Sequence, residues 1–414
     1  MLFTGGSPPR MRGMSIDLPP GTAGRYHRGS TLRPDDASVN PSEASVDSND
    51  IGVDALRDWL ESGRPVTVLD IRPAVEREEW SIPGSLHLDP HVALRTDSPS
   101  PFAGVPLPPG QPVVAVCARG ITSLLAVRAL RERGVQALSL KGGMKAWSLA
   151  WNLAEVTPIR SKAQIIQVRR TGKGCLSYIV GCGSEAAVVD ASVDPDIYLR
   201  IAKERGFTIT HVIDTHVHAD HLSRSRPLAE RCQAKVYLPA QDRATYPFLP
   251  LQEGDTITIG ESVIQALHTP GHTLESTCYL VDGRALLTGD TLFPGAVGRP
   301  DLAANAVEAR RRAHVLYGTL RRIVKLPPDT WILPCHTSEP IPFDGKPCGA
   351  ALADVIRQVE MLRATEEGFV ETLLSRIPAT PPHHLEIVRL NESGTFPQGD
   401  PTELEAGANR CAIS

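Results

Sequence analysis

Apolar and polar positions fall into two alternating series along the chain, joined by a short connector. In the first, Val53-Asp54-Ala55-Leu56-Arg57-Asp58-Trp59-Leu60 has the spacing of an amphipathic helix, and Val66-Thr67-Val68-Leu69-Asp70 that of a strand. Val113-Val114-Ala115-Val116 predicts a second buried strand, followed by a helix over 123–130. Strands alternating with helices predict a small parallel α/β domain over residues 51–152. A connector over 153–162 contains Pro158. The second series starts with a hairpin of 165–168 and 177–180, a strand ending at Asp190 and a helix over 196–205. The run Ile209-Thr210-His211-Val212-Ile213 is a buried strand ending in Asp214, and a helix over 219–232 follows. Strands at 235–238, 256–259 and 263–267 come next, and helices over 350–367 and 368–376 close the series.

Composition adds the ends. Residues 1–50 are rich in Gly, Pro, Ser and Asp and read as a disordered leader. Its arginines suggest a transit peptide, but Pro8, Pro9, Pro19 and Pro20 spoil the required helix, and Met11 or Met14 are alternative starts. Residues 393–414, again polar and Gly-containing, are expected as a flexible C-terminal tail. At 414 residues, 41% hydrophobic and 22% charged, the rest suits two globular domains. A net charge of −4 speaks against nucleic acid or an anionic membrane as partner, and no apolar run is long enough to span a bilayer. Eight scattered cysteines without close pairing fit a reducing cytoplasm. The sequence leaves a homo-oligomer open.

The densest chemistry follows the strand that ends at Asp214. Thr215-His216-Val217-His218-Ala219-Asp220-His221 places three imidazoles and a carboxylate in one loop, a donor set suited to zinc or iron. Three more candidates stand singly at the ends of apolar runs: His272, Asp290 and His336. Ends of buried strands along one sheet edge are where such side chains converge. Cys335, beside His336, reads as packing, and His383 and His384 as exposed turn residues. In the first domain, Cys117 ends a strand and precedes the loop Ala118-Arg119-Gly120-Ile121-Thr122. Backbone N–H groups of such a loop and the following helix stabilise a thiolate.

Two family resemblances rest on these residues. Asp70-Ile71-Arg72-Pro73-Ala74-Val75-Glu76 with Ile82-Pro83-Gly84-Ser85, then Cys117 and Gly120, then Gly142-Gly143-Met144-Lys145-Ala146-Trp147, resemble the three signature stretches of a rhodanese domain. That likeness implies a sulfur carrier working through a persulfide on Cys117, with thiosulfate or another sulfane-sulfur donor. Ala118 and Thr122 stand where active members usually carry arginine, leaving Arg119 as the loop's cation.

The series His216, His218, Asp220, His221, His272, Asp290 and His336 resembles the metallo-β-lactamase superfamily over 163–392, and implies an αββα sandwich with the metal at one edge. Within it, a two-metal arrangement of these seven ligands, bridged by Asp290, would hydrolyse thioesters as glyoxalase II does with two zinc ions. A one-metal arrangement of His216, His272 and Asp290 is the two-histidine, one-carboxylate face of Fe(II) oxygenases. The stretch from Gly289 to Phe293, continuing as Gly298-Arg299-Pro300-Asp301-Leu302, is similar to that of persulfide dioxygenases. This second likeness implies one Fe(II) per chain and oxidation of glutathione persulfide, or a related small persulfide, by O2 to sulfite and thiol. Arg299 would bind a substrate carboxylate or hold the loop, and Thr273 would orient His272 or the bound sulfur.

Overall fold

A sheet buried on both faces needs continuous apolar strands, and Val113–Val116 is entirely buried. It sits at the centre of five parallel strands ordered Asp50–Ile51, Ala137–Leu140, Val113–Val116, Thr67–Asp70 and Leu86–His87. One face packs Leu56, Trp80, Ile82 and Trp147, and the other packs Phe102, Ala126 and Leu130. The computed structural model describes residues 49–95, 101–102, 104–157, 161–407 and 409–414. The expected leader lies outside the described residues apart from Asn49 and Asp50, and so does Pro158.

The second domain stacks two sheets. Seven strands run in the order Leu249–Leu251, Lys235–Pro239, Thr208–Ile213, Glu185–Val189, Cys175–Cys182, Gln164–Arg170, Asn152–Glu155. Six run Thr256–Ile259, Ser262–His268, Thr277–Val281, Ala285–Gly289, Trp331–Pro334, Ala350–Ala351. Tyr178, Val180, Ile213, Tyr279 and Leu287, from both sheets, form the core between them. Helices Pro195–Glu204 and Ser225–Cys232 cover one outer face through Tyr198, Ile201 and Leu228. Ala306–Ile323 and Glu366–Ser375 cover the other through Leu316, Leu320 and Phe369. The result is the expected αββα order, with helix, sheet, sheet and helix as its four layers. Among the described residues, no helix is long and apolar enough to cross a membrane.

Several elements depart from the reading of the chain. Residues 153–155, expected in the connector, belong to the edge strand Asn152–Glu155, which pairs antiparallel with Gln164–Arg170. The helix expected over 219–232 spans only Ser225–Cys232, because the histidine loop occupies the earlier residues. The region 350–376 divides into Ala350–Ala351, Leu352–Gln358, a 3-10 turn and Glu366–Ser375. The 18-residue helix Ala306–Ile323 was not anticipated: its many arginines mask the buried stripe of Ala309, Ala313, Leu316, Leu320 and Ile323.

Residues 393–414 do not form a loose tail. Thr402–Glu405 is helical, and Ala412–Ile413 pairs with Val297–Gly298. Glu405 is fully buried between Arg170 and Arg224. The buried Glu405, backbone pairing and the isolated apolar residues Leu404 and Ile413 anchor this segment, so a search for apolar periodicity passes over it.

The two domains are tied by the hairpin turn at 171–174. Arg170 donates through Nε to the carbonyl of Ser148 at 2.7 Å, and the Gly172 N–H donates to that of Ala150 at 3.2 Å. A Cβ on Gly172 would lie 1.7 Å from the Trp147 carbonyl oxygen, so only glycine permits this approach.

Candidate metal centre

His216 follows the strand Thr208–Ile213, and its ring is set by a relay. The Asp190 carboxylate accepts from Thr215 Oγ1 at 3.0 Å, and that oxygen lies 2.9 Å from His216 Nδ1. With Thr215 donating to the carboxylate, Nδ1–H donates to Thr215 and the lone pair is left on Nε2. His272 reaches the same tautomer by another route, since its Nδ1 donates to the Arg299 carbonyl at 2.8 Å. Asp290 follows the strand Ala285–Gly289, where close packing holds it: a Cβ on Gly298 would stand 1.9 Å from the Asp290 carbonyl oxygen.

These three side chains converge. Asp290 Oδ2 lies 3.7 Å from His216 Nε2 and 3.6 Å from His272 Nε2. Two donors each about 2.1 Å from one ion lie roughly 3–3.5 Å apart, so the observed spacing is slightly wide of that range. His216 Nε2 and Asp290 Oδ2 are buried without a hydrogen-bond partner. Buried polar atoms are seldom left so, and their convergence fits a cation between them. The residues therefore suit a metal ion. Burial, and then the neighbouring His218, holds His216 well below the usual imidazole range, and burial also lowers His272. Both are neutral near pH 7, as ligands must be. Burial alone would raise Asp290, but His336, His272 and His216 hold it well below the usual carboxylate range.

The remaining four candidates lie beside this trio and are engaged differently. His218 Nε2 is 3.2 Å from Asp190 Oδ1, and its Nδ1 is unpartnered. His221 Nδ1 is 3.0 Å from Asp220 Oδ1. His336 stands between two carboxylates, with Nδ1 2.7 Å from Asp290 Oδ1 and Nε2 2.9 Å from Asp220 Oδ2. The second of these is close without hydrogen-bond geometry, since His336 Nε2 is unsatisfied, as is His221 Nε2. Burial works against a charge on His221, yet Asp220 and Cys175 push its pKa up to about 9. Burial likewise disfavours a charged His336, but Asp220 and Asp290 raise it well above the imidazole range. The carboxylates of Asp220 and Asp290 thus favour a proton on His221 and on His336.

Some predicted roles are not supported. Arg299 is fully buried, and its guanidinium makes five hydrogen bonds: two to Asp301 and one each to the carbonyls of Pro378, Ala379 and Arg410. It holds the loop, and has no donor left for a substrate carboxylate. Thr273 turns its hydroxyl to Ser276 at 2.7 Å, while Arg299, not Thr273, orients His272.

Three cysteines line the centre. Cys335 Sγ lies 3.1 Å from Asp290 Oδ1, which places it against the ligands and not simply in packing. Cys175 groups with Asp220, His221 and His336, and Cys411 with Asp290 and His336. Burial would raise the Cys175 thiol, but His221 brings it down to about 6. Asn409 donates to Asp220 Oδ2 at 3.0 Å. Cys175, Cys411 and Asn409 carried no motif, whereas Asp190 was legible as a carboxylate at the end of a strand.

The Cys117 loop adopts the expected geometry. Its Sγ receives the N–H of Gly120 at 3.1 Å and that of Ser123 at 3.4 Å, the latter from the first turn of the helix Thr122–Glu132. Arg72 is buried in ion pairing with Asp70. Arg119 is mostly exposed and lies 3.8 Å from Glu403.

Comparison with known proteins agrees with both halves of this description. The family model of the Metallo-beta-lactamase superfamily matches residues 170–336, and that of the Rhodanese-like domain residues 52–150. An uncharacterized protein of Aquifex aeolicus is 31% identical over 176 residues, covering 37% of this chain and 80% of its own. A hydroxyacylglutathione hydrolase of Rhizobium etli is 29% identical over 203 residues, covering 47% of this chain and 76% of the relative. The crystal structure of a metallo-beta-lactamase from Staphylococcus aureus superposes with a TM-score of 0.52 at 28% identity, covering 57% of this chain and 74% of that one. With strand-end ligands on an αββα sandwich and a thiol-bearing parallel domain before it, the chain belongs to the metallo-β-lactamase superfamily and carries an N-terminal rhodanese-like domain.

Proposed function

We propose that the chain is an iron-dependent persulfide dioxygenase that oxidises glutathione persulfide, or a similar small persulfide, and is served by sulfur transfer at Cys117. One persulfide, one O2 and one water give one thiol, one sulfite and two protons. The carrying observation is the convergence of His216, His272 and Asp290, both rings oriented through Nδ1 and His216 Nε2 and Asp290 Oδ2 unpartnered, while His221 and His336 each have Nδ1 against a carboxylate. Fe(II) held by His216, His272 and Asp290 would supply the single-electron chemistry that O2 requires.

The chain's own residues do the rest. Asp190 and Thr215 hold the His216 tautomer, and the Arg299 carbonyl holds that of His272. Asp220 accepts from Asn409, which links the C-terminal segment to the site wall. In the first domain, the Gly120 and Ser123 N–H groups stabilise the thiolate that carries sulfane sulfur. Eight free cysteines support a reducing, cytoplasmic setting.

A second reading is a two-metal thioester hydrolase. It is favoured by the unpartnered nitrogens of His218, His221 and His336 and by relatives named as hydroxyacylglutathione hydrolases. Metal analysis of anaerobically purified protein, combined with oxygen uptake on glutathione persulfide, separates the two. One iron per chain and persulfide-dependent uptake are expected. Two zinc ions with oxygen-independent cleavage of S-lactoylglutathione would replace this reading with the hydrolase.

A further inference from the structure

Three adjoining cavities lead from Cys117 to Asp220, at the edge of the metal centre. The first, about 250 Å³, is lined by Cys117 and its loop. It shares Arg72, Glu76, Ala118 and Arg119 with a second of about 370 Å³. That one shares Glu79, His383, Ala406 and Gly407 with a third of about 300 Å³, whose wall includes Asp220. Shared walls make them neighbours, and the second and third reach the size of a small-molecule pocket.

We propose that these cavities form one path along which a small zwitterionic thiol carries sulfane sulfur from Cys117 to the Asp220 wall of the metal centre, an inference that rests on the dioxygenase reading. Side chains of both signs line the path: Arg119 and Lys145 with Glu76 and Glu403 near Cys117, then Lys173 and Arg410 with Glu79 near Asp220. Such walls suit a molecule with carboxylates and an ammonium group, and disfavour an apolar thiol. The roof is the C-terminal segment, which touches both ends. Glu403 pairs with Lys145 and Arg119, Arg410 with Glu79 at 2.9 Å, and Asn409 with Asp220.

The chemistry balances without an added oxidant. The Cys117 thiolate attacks the outer sulfur of thiosulfate, whose S–S bond breaks as sulfite leaves with the electron pair. The small thiol's thiolate then attacks the outer sulfur of the Cys117 persulfide. A new S–S bond forms, the old one breaks, and its electron pair returns to Sγ, where Gly120 and Ser123 donate. The small persulfide so formed leaves through the second cavity towards Asp220.

The test loads Cys117 of the full chain with thiosulfate labelled in its outer sulfur and removes unbound label. The iron-loaded protein is then mixed in air with glutathione and excess unlabelled glutathione persulfide. With a roughly tenfold excess, more than about half of the label is expected in the first sulfite formed, because the bound thiol is effectively concentrated at the site. Ala406→Trp and His383→Trp, each narrowing the shared neck, bring the share down to the mixing ratio, whereas Leu385→Trp, outside the path, does not. Label at the mixing ratio in the unaltered protein overturns the path, as does failure of thiosulfate to label Cys117.

Metal-free protein supplies an independent reading. S-methylglutathione, which cannot transfer sulfur, should bind once per chain and at least about tenfold more weakly in His383→Trp. Equal binding overturns the path. Absence of sulfite from the unlabelled pool fails the dioxygenase reading by itself, while thioether binding still decides whether the path exists.

Discussion

The two halves of the metal centre carry similar residues in opposite states. Around Asp290, His216 and His272 are neutral, oriented through Nδ1, and aim Nε2 at a carboxylate oxygen without a partner. Around Asp220, His221 and His336 are raised, so protons hold positions that a second ion would need. Ligand type does not distinguish the halves. The difference lies in what backs each ring: a hydroxyl or carbonyl that accepts from Nδ1 leaves a lone pair in front, whereas a carboxylate contact favours the imidazolium.

Removing a ligand from each half is the most direct way to break this comparison. Asp290→Asn should lower kcat/KM for persulfide-dependent oxygen uptake by about a thousandfold, several kcal/mol of lost metal-centred stabilisation, with bound metal falling in parallel. His221→Ala should cost less than about tenfold and retain one ion. Equal losses in both variants would mean that the halves work as one two-metal site.

Next in size is the support behind the Asp220 half. Glu405 accepts the Leu222 N–H at 2.6 Å and pairs with the buried Arg170 and Arg224. Glu405→Gln leaves buried cations without a counter-charge and should destabilise the fold by about 3–5 kcal/mol in urea unfolding. Glu403→Gln, on the exposed side of the same helix, should not move the midpoint measurably. Burial would raise Glu405, but Arg170 and Arg224 hold it below the usual carboxylate range. Its contribution is therefore complete above the ordinary carboxylate pKa and fades only as pH falls through the depressed folded value.

Titration sharpens the same contrast. A second ion must displace protons from both His221, pushed up to about 9, and His336, raised well above the imidazole range, so its affinity should rise by up to about a hundredfold per pH unit until pH 9. The first ion meets neutral His216 and His272, and should remain bound below the pH at which an unperturbed imidazole protonates. Metal-binding titrations from pH 6 to about 10 would show two separate dependences, and coincident curves would erase the distinction. A further test of the first half is Asp190→Asn, which weakens the relay through Thr215. It should lower first-ion affinity by roughly 10–100-fold, read by chelator competition, with unfolding still cooperative.

What the chain determined by itself was local. The histidine loop, Asp290 and His336 each follow a short apolar run, and Cys117 stands between a strand and a helix, so identity and position could be read from neighbouring residues. The parallel domain and most core strands were legible for the same reason: burial imposes a pattern over a few positions. Tertiary structure decided the rest. Whether a ring faces Thr215, a carbonyl or a carboxylate depends on partners far along the chain, as Asp290 and Asp220 are for His336. Arg299 looked available until the carbonyls of Pro378, Ala379 and Arg410 closed around it. The segment after residue 393 looked loose because its apolar anchors, Leu404 and Ile413, stand singly and Glu405 beside them is charged. Glu405 becomes a core residue only where Arg170, 235 positions earlier, meets it out of water. Such pairing leaves no local period, since the free energy of a buried charge depends on its spatial neighbours and not on its place in the chain.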